Sequence, residues 1–500
     1  MDVEYLTESA LGPDAGEGSN TADLLNFFPE TVKSGGRSRL IFRPCPDLET
    51  QYEIPDSSKW VKIHQHTTQY GLDFLVVSVG NEVGTPYFGA DAFSVWATLP
   101  DEPQGFTSIN GDLAVRTAVG RSGFPFKYGV LTPVFNAELG GPYTFSPQPT
   151  PIATSGRPPK SMTTHRGRVV SADTSNFYWS DLVDPTTHNA LQFASAESSP
   201  DNIEVVVGVG EYLYILGNET TEVWRISGQA GVDAYNRPTI RENHGLLSRR
   251  LFSLANDLSP ANSAEEEYFC ETGDGVFFIN QNSVPVLAID GRFQEIYHPG
   301  VVSDIEDTSR IGVKNPFVVS RPVSRLFYYE FEGHRFCVIR FNDRPAWVYD
   351  ISMNMWHRRS TGGGAWEVVN VVGRDTPSAH VLSADGSQKI ATFVRKSNAS
   401  EMRSMTTLPI EQGGERYNVG MLGLRGEMGD NDHDIQISLE LSPDGGRTWS
   451  QPIPQTVEGS NFQTLARWRA LGQYQTLTCR FSYSGSADVA LYSQGEIEIA

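Results

Sequence analysis

The sequence predicts an all-β chain: a β-propeller of about seven blades, six or eight also fitting, followed by a C-terminal β-sandwich-like domain. Three observations carry that expectation. Apolar runs are short, rich in β-branched and aromatic residues, and bounded by glycine-containing turns. One such unit recurs along the chain. Stretches with helical periodicity are scarce, while 47 glycines and 30 prolines in 500 residues supply turns throughout.

The unit is clearest over residues 166–228. Residues 203–209, 212–216 and 221–226 are too short for helices and are separated by Gly210-Glu211 and Gly217-Asn-Glu-Thr220, so they read as an antiparallel meander. The first run is almost wholly apolar, as in a strand covered on both faces. The last alternates, with Glu222, Trp224 and Ile226 on one face. A sheet graded from buried to half-exposed is what a propeller blade requires. Comparable units start at Gly71, Gly111, Gly167, Gly210, Gly273, Ser324 and Ala379, an irregular spacing of roughly 40 to 60 residues that suits four-stranded blades with variable loops.

Four segments follow. Residues 1–20 are acidic and rich in Gly and Ser, the composition of a mobile arm or of an extended tie to a neighbour. Residues 21–55 read as a lead-in packed on the propeller, with Pro44 and Pro46 confining their strand to an edge. The propeller takes 56–400. Polar composition over 394–412 marks a boundary, and 413–500 holds the sandwich, opened by the period-two strand 435–441. Separate β-sandwiches would use the same short strands, but no linker long and polar enough to part domains lies between 160 and 395; residues 258–267, with three consecutive glutamates, read as a solvated loop. Residues 462–471 fit a helix or an edge strand equally.

A net charge of −21 argues against non-specific affinity for nucleic acid or acidic membranes, because phosphate binding needs clustered cations. Cys45, Cys270, Cys337 and Cys479 form no CxxC pair and read as free thiols. The N-terminus lacks the basic and apolar regions of a secretory signal, and no apolar run approaches the ~20 residues that span a bilayer. Synthesis and folding in a cytosol are expected.

Motifs of chemistry are sparse. Ser442-Pro-Asp444-Gly-Gly446-Arg-Thr448-Trp449 matches the Asp-box S-x-D-x-G-x-T-W seen in sialidases. Its physics is that of a turn: aspartate accepts turn amides, glycine takes positive φ, and tryptophan covers the corner. A sialidase would also need an arginine cluster, a tyrosine nucleophile and paired carboxylates at a set distance. Only one Asp-box is present, outside the candidate blades. Asp430-Asn-Asp432-His-Asp434 alternates oxygen ligands but has Ile435 and Leu441 where an EF-hand needs Gly and Glu. His64 and His66 alternate on a strand without evident metal partners. No nucleophile elbow, P-loop or dinucleotide fingerprint occurs. The reading is a non-enzyme with no catalytic residue, cofactor or metal.

Asn176-Phe-Tyr-Trp179-Ser180-Asp181, Leu191-Gln-Phe193-Ala-Ser-Ala-Glu197, Pro200-Asp201 and Thr221-Glu222-Val-Trp224 resemble the packaged-DNA stabilisation proteins, or tail accessory factors, of short-tailed phages. Asn26-Phe-Phe-Pro-Glu30 resembles that family's opening, and the Asp-box with Trp468 its closing domain. The sequence departs from the family at Pro44-Cys-Pro46, where Pro-Gly is usual. The resemblance implies a virion protein of the tail, made in the host cytoplasm. It implies a ring of copies, a hexamer by analogy, docked below the portal–adaptor complex. That ring would close or extend the DNA channel, retain packaged DNA, anchor tailspikes or fibres and meet a distal plug or needle, with DNA passing unread. The rival reading is a sialidase-like or carbohydrate-binding propeller at the host surface.

Overall fold

The computed structural model describes residues 2–13, 22–34, 37–67, 71–87, 92–109, 111–118, 126–133, 143–147, 161–196, 201–247, 268–307, 323–373, 377–395, 401–428, 434–459, 464–485 and 488–499. Among them the chain is nearly all strand; helix is confined to Glu8–Leu11, a 3-10 turn at Gly231–Asp233, and Pro299–Glu306. Leu258–Glu267 and residues 430–433 lie outside the described residues.

Five blades are free-standing antiparallel sheets of four consecutive strands, beginning at Val61–Thr67, Pro103–Ile109, Ser161–His165, Ile203–Val209 and Phe269–Glu271. A further four-stranded sheet, Val368–Val372, Ser378–Leu382 and Gln388–Val394, takes its outer strand Asp47–Glu53 from far back in the chain. One more meander, Val323–Phe331 through Met355–Arg359, is the end of a ten-stranded sheet. Against the expected count of about seven, five blades stand alone and two are shared with other segments. Inner strands of successive blades face one another around the ring, first strand to first strand except where Ile203–Val209 meets Gly275–Ile279, and Val368–Val372 meets Val61–Thr67 to close it. Their approach is tight enough to fix residue type. A Cβ on Gly208 would sit 2.5 Å from the Cβ of His165 in the preceding blade.

Each blade alternates residues into the layers between blades. Phe177, Trp179, Trp224 and Tyr235 fill one such layer, and Phe327, Tyr329, Phe336, Trp366 and Phe393 another. Burial of aromatic area on this scale is the main term holding blades together.

The C-terminal layer differs from the sequence reading in its membership. A seven-stranded sheet combines Tyr417–Met428, Thr464–Tyr474, Val489–Tyr492 and Gln494–Ile499 with the N-terminal strands Asp2–Glu4, Phe27–Ser34 and Arg37–Pro44. It faces Met402–Thr406, Ile435–Ser442, Ile453–Val457 and Thr476–Ser484 across one core that includes Tyr5, Leu6, Phe42, Leu439, Phe481 and Ile497. Residues 2–13 are therefore no mobile arm. Asp2–Glu4 pairs with Gln494–Ile499, and the Tyr5 hydroxyl donates to the Gly423 carbonyl at 2.9 Å. The lead-in likewise divides: Leu24, Phe27, Leu40 and Phe42 enter the C-terminal core, whereas Phe28 and Cys45 pack on the blades. Residues 464–474 form a strand, because Ala466 and Trp468 are buried while Arg467 and Arg469 are exposed, a period of two.

Asn26 joins the two bodies. It is buried in the left-handed region at φ 58°, a conformation asparagine tolerates better than most residues. Its N–H donates to Arg358 O at 2.8 Å, and its carbonyl accepts from Cys45 N at 2.9 Å. Its side chain accepts from Ser360 N at 2.9 Å and donates to Ser360 Oγ at 3.1 Å and Met402 O at 2.8 Å. Every polar group of this residue is engaged.

Candidate functional site

The family-motif residues fall on two adjacent blades, and most of them are structural. Asp173 caps the turn into Asn176–Trp179, accepting from the Ser175 and Asn176 amides at 2.7 Å each, and Asn176 Oδ1 accepts from Ser195 Oγ at 2.7 Å. Trp179 is buried with Phe177, Trp224 and Tyr235 and donates Nε1 to Gly231 O at 2.9 Å. The Ser180 hydroxyl accepts from Val169 N at 3.0 Å and donates to Asp181 O at 2.9 Å. Asp201 Oδ2 accepts the Glu219 and Thr220 amides at 3.0 and 2.9 Å, pinning the turn before Thr221–Ile226. Buried Glu222 accepts from Trp224 Nε1 at 2.9 Å. Glu197 lies outside the described residues.

Phe193 is the exception. It is 43% exposed, its ring tilted against that of Tyr178 with centroids 6.0 Å apart. Also exposed are Leu182 (57%), Val183 (52%) and Leu191 (66%), all on the connection between Asn176–Trp179 and Phe193–Ser195. That connection is tightly tied. Gln192 Nε2 donates to Asp181 Oδ1 at 2.7 Å, bringing its two ends together. Asp184 accepts from Thr186 N, Thr186 Oγ1 and Thr187 Oγ1 at 2.7–2.8 Å, and these bonds hold its carboxyl below the usual carboxylate range. Val183 sits at φ 54°, where a β-branched side chain is strained, held by its N–H to Gly167 O at 2.7 Å. Strain of about 1–3 kcal/mol persists only where surroundings over-determine it. Here it serves to turn Leu182 and Val183 outward over the Arg166-Gly167 hairpin. Together these exposed apolar side chains make up what we term the knob, carried on the hydrogen-bonded connection between the last two strands of one blade, a surface suited to burying area against another protein. Sequence reasoning found Phe193 but missed Leu182, Val183 and Leu191. The available signal was the apolar pair Leu182-Val183 opening an otherwise turn-like, largely polar stretch, Asp184-Pro-Thr-Thr-His-Asn189.

The Asp-box occupies the hairpin between Ile435–Ser442 and Ile453–Val457, away from the blades. Asp444 Oδ1 accepts from Ser442 Oγ, Arg447 N and Thr448 N at 2.8, 3.1 and 2.9 Å, and Oδ2 accepts from Thr448 Oγ1 at 2.6 Å. These bonds, Thr448's first, pull its carboxyl down to about 2. Gly446 has φ 87° and donates to Ser442 Oγ at 2.8 Å, while the Arg480 guanidinium lies 3.8 Å from the Trp449 ring centre. Asp444 is spent on its own turn. Of the acidic run before it, Asp434 is described, and it accepts the Gly459 amide at 3.2 Å. His64 and His66 both bond Ser108 Oγ of the next blade, at 2.9 and 2.8 Å, and burial holds both well below the usual histidine range.

Residues 152–256 match the family model described as Bacteriophage P22 Gp10, beta-propeller. The motif block is therefore similar to that of the packaged-DNA stabilisation and tail accessory proteins, a family of phage structural proteins, and the exposed Leu182, Val183, Leu191 and Phe193 lie inside the matched segment. No curated protein matches the chain. Among solved structures, the Neurospora crassa Pan2 WD40 domain is similar at 7% identity and a TM-score of 0.38, over 69% of this chain and 95% of that one. Saccharomyces cerevisiae Sqt1 is similar at 8% identity and a TM-score of 0.38, over 66% of this chain and 83% of that one. Likenesses this distant carry no argument.

Proposed function

We propose that the chain is a tail hub protein of a short-tailed phage. It docks as a ring, six copies by analogy with the family it resembles, below the portal–adaptor complex; it extends or closes the DNA channel, retains the packaged genome, and anchors tailspikes or fibres and a distal plug. The observation that carries the reading is the knob of Leu182, Val183, Leu191 and Phe193, solvent-facing apolar side chains on a saturated polar frame within the family-matching segment. A protein that works by mutual fit needs such a surface; a hydrolase would not. The strong negative charge fits a conduit, since an acidic lumen repels duplex phosphates and lets DNA slide.

The test is binding of purified protein to its portal–adaptor complex, followed by sedimentation and negative-stain imaging. Wild type adds a ring of density. The double variant Leu182→Glu, Phe193→Ser keeps its melting temperature and loses the ring. If it binds as wild type does, the knob is not the docking surface. If wild type instead remains a monomer and captures a host glycan on an array, the carbohydrate reading replaces this one.

A further inference from the structure

The blade that begins at Phe269–Glu271 and the meander that begins at Val323–Phe331 face each other with one cysteine apiece. Cys270 lies on the first strand of the blade, and Cys337 on the second strand of the meander, His334–Phe341. Residues directly opposite in an antiparallel pair share a face of the sheet. Cys270 is opposite Phe277, and Phe277 is opposite Leu287. The reverse face of that blade carries Val276, Ala288 and Phe293, and Phe293 packs on Tyr214 of the preceding blade. Cys270 is therefore turned forward, toward the meander. Cys337 is opposite Tyr328 and Tyr349, and its face belongs to the core that also holds Phe277, Leu287 and, at its margin, Cys270. The opposite face of the meander, with Phe327, Tyr329, Phe336 and Val338, packs in a different core. Cys337 is therefore turned back, toward the blade.

Contacts on either side of the thiols hold the two surfaces together. Arg335, on the same face of its strand as Cys337, is ion-paired with Asp274 in the turn that follows Phe269–Glu271. A Cβ on Gly273 of that turn would lie 3.4 Å from the Tyr328 hydroxyl, and Tyr328 is the cross-strand partner of Cys337. Burial first, and then Cys270, push the Cys337 thiol well above its ordinary range, so the two sulfurs are near enough to sense one another. Cys337 is fully buried and Cys270 partly so. Cys45 and Cys479 sit in two other cores.

We propose that Cys270 and Cys337 are a disulfide-forming pair that staples this free-standing blade to the meander continuous with the C-terminal layer, the oxidant being a small disulfide such as oxidised glutathione. A reducing cytosol keeps both as thiols, and the bond forms when the folded chain meets an oxidising medium. The Cys270 thiolate, the more accessible of the two, attacks one sulfur of oxidised glutathione, giving a mixed disulfide and expelling a glutathione thiolate. The Cys337 thiolate then attacks Cys270 Sγ, forming the cross-link and expelling the second glutathione. The protons shed by the two protein thiols end on the two glutathiones; the protein is oxidised by two electrons and the glutathione disulfide is reduced by two. Because burial raises the Cys337 thiol, the second attack is the slow one and the mixed disulfide comes first.

The experiment is incubation of the native full chain with oxidised glutathione, acid quenching, unfolding and peptide mass spectrometry, beside a sample kept in a phosphine reductant. Thiols titrated after unfolding should fall from four by two, and the linked peptides should be those of Cys270 and Cys337, preceded in time by a glutathione adduct on Cys270. The oxidised protein should melt about 5 °C above the reduced one, the scale of one cross-link in a chain of this size. Cys337→Ala should stop at the adduct, and Cys270→Ser should take up no glutathione and show no melting shift. If Cys337→Ala does not fold, wild type beside Cys270→Ser still decides. Four thiols remaining, a Cys270 adduct that never resolves in wild type, or a cross-link through Cys45 or Cys479 would overturn the proposal. None of these readouts depends on docking to another protein.

Discussion

Replacing Asn26 tests whether one residue latches the ring to the C-terminal layer. Asn26→Ala removes three side-chain hydrogen bonds, to Ser360 N, Ser360 Oγ and Met402 O. At about 1 kcal/mol each, these account for about 3 kcal/mol. The Ser360 amide is then buried without an acceptor, a penalty already contained in part in that figure. Alanine at φ 58° adds a backbone term of about 1 kcal/mol. The expected loss is about 3–5 kcal/mol. Asn26→Gly separates the terms: it forfeits the bonds but not the backbone conformation, so it should be about 1 kcal/mol less damaging than alanine. Tryptophan fluorescence through a denaturant titration measures both. A loss under about 1 kcal/mol for alanine, below a single well-made bond, would show that the latch is not load-carrying. Glycine proving worse than alanine would refute the backbone argument alone.

Three other outcomes follow from the same reasoning. Phe177→Ala empties a fully buried place among Trp179, Trp224 and Tyr235 and should cost about 3–5 kcal/mol, whereas exposed Phe193→Ala should cost no more than about 0.5 kcal/mol and show itself only in docking; equal melting temperatures for the two would contradict the assignment of core and rim. Asp444, with its carboxyl drawn down to about 2 from an unfolded value of about 3.9, contributes stability that is complete above about pH 4 and lost as pH falls toward 2. The difference in melting temperature between wild type and Asp444→Ala should therefore shrink over that interval; a pH-independent difference argues against the turn bonds. Burial pushes His66 down to about 4, so it folds neutral while the unfolded chain takes up a proton below about pH 6.5. Stability should fall by up to about 1.4 kcal/mol per pH unit between those values for this residue, and His66→Gln should flatten that limb; an unchanged slope would mean that the histidine is protonated in the fold.

Much of the architecture was legible because blades are local. A strand pair joined by Gly210-Glu211 or Arg166-Gly167 announces itself through turn chemistry and β-branched runs, whereas the alternation read over 221–226 is absent, because Thr221, Glu222, Val223 and Trp224 are all buried between blades. What stayed hidden depends on contacts between distant residues. Acidic, glycine-rich flanks gave residues 1–20 the look of a free arm, yet Tyr5 and Leu6 find a core supplied by residues more than 400 positions away. The strand 464–474 carries helix-like apolar spacing because a bulge at Ala470, φ 56°, and Gly472 shifts its register midway. The knob was invisible for a different reason. Leu182 and Val183 are ordinary apolar residues, and only three-dimensional ties to Gly167 and Gln192 determine that they face water.

The pairing of Asp2–Glu4 with Gln494–Ile499, and of Asp47–Glu53 with Gln388–Val394, has a bearing on how the molecule comes into being. Strands that leave the ribosome early must wait for partners translated hundreds of codons later, and such distant pairings are slow to form. During that interval the early strands present open edges and the growing ring has a gap. A nascent or truncated chain thus lacks a closed ring and a completed C-terminal layer until its last strands are made.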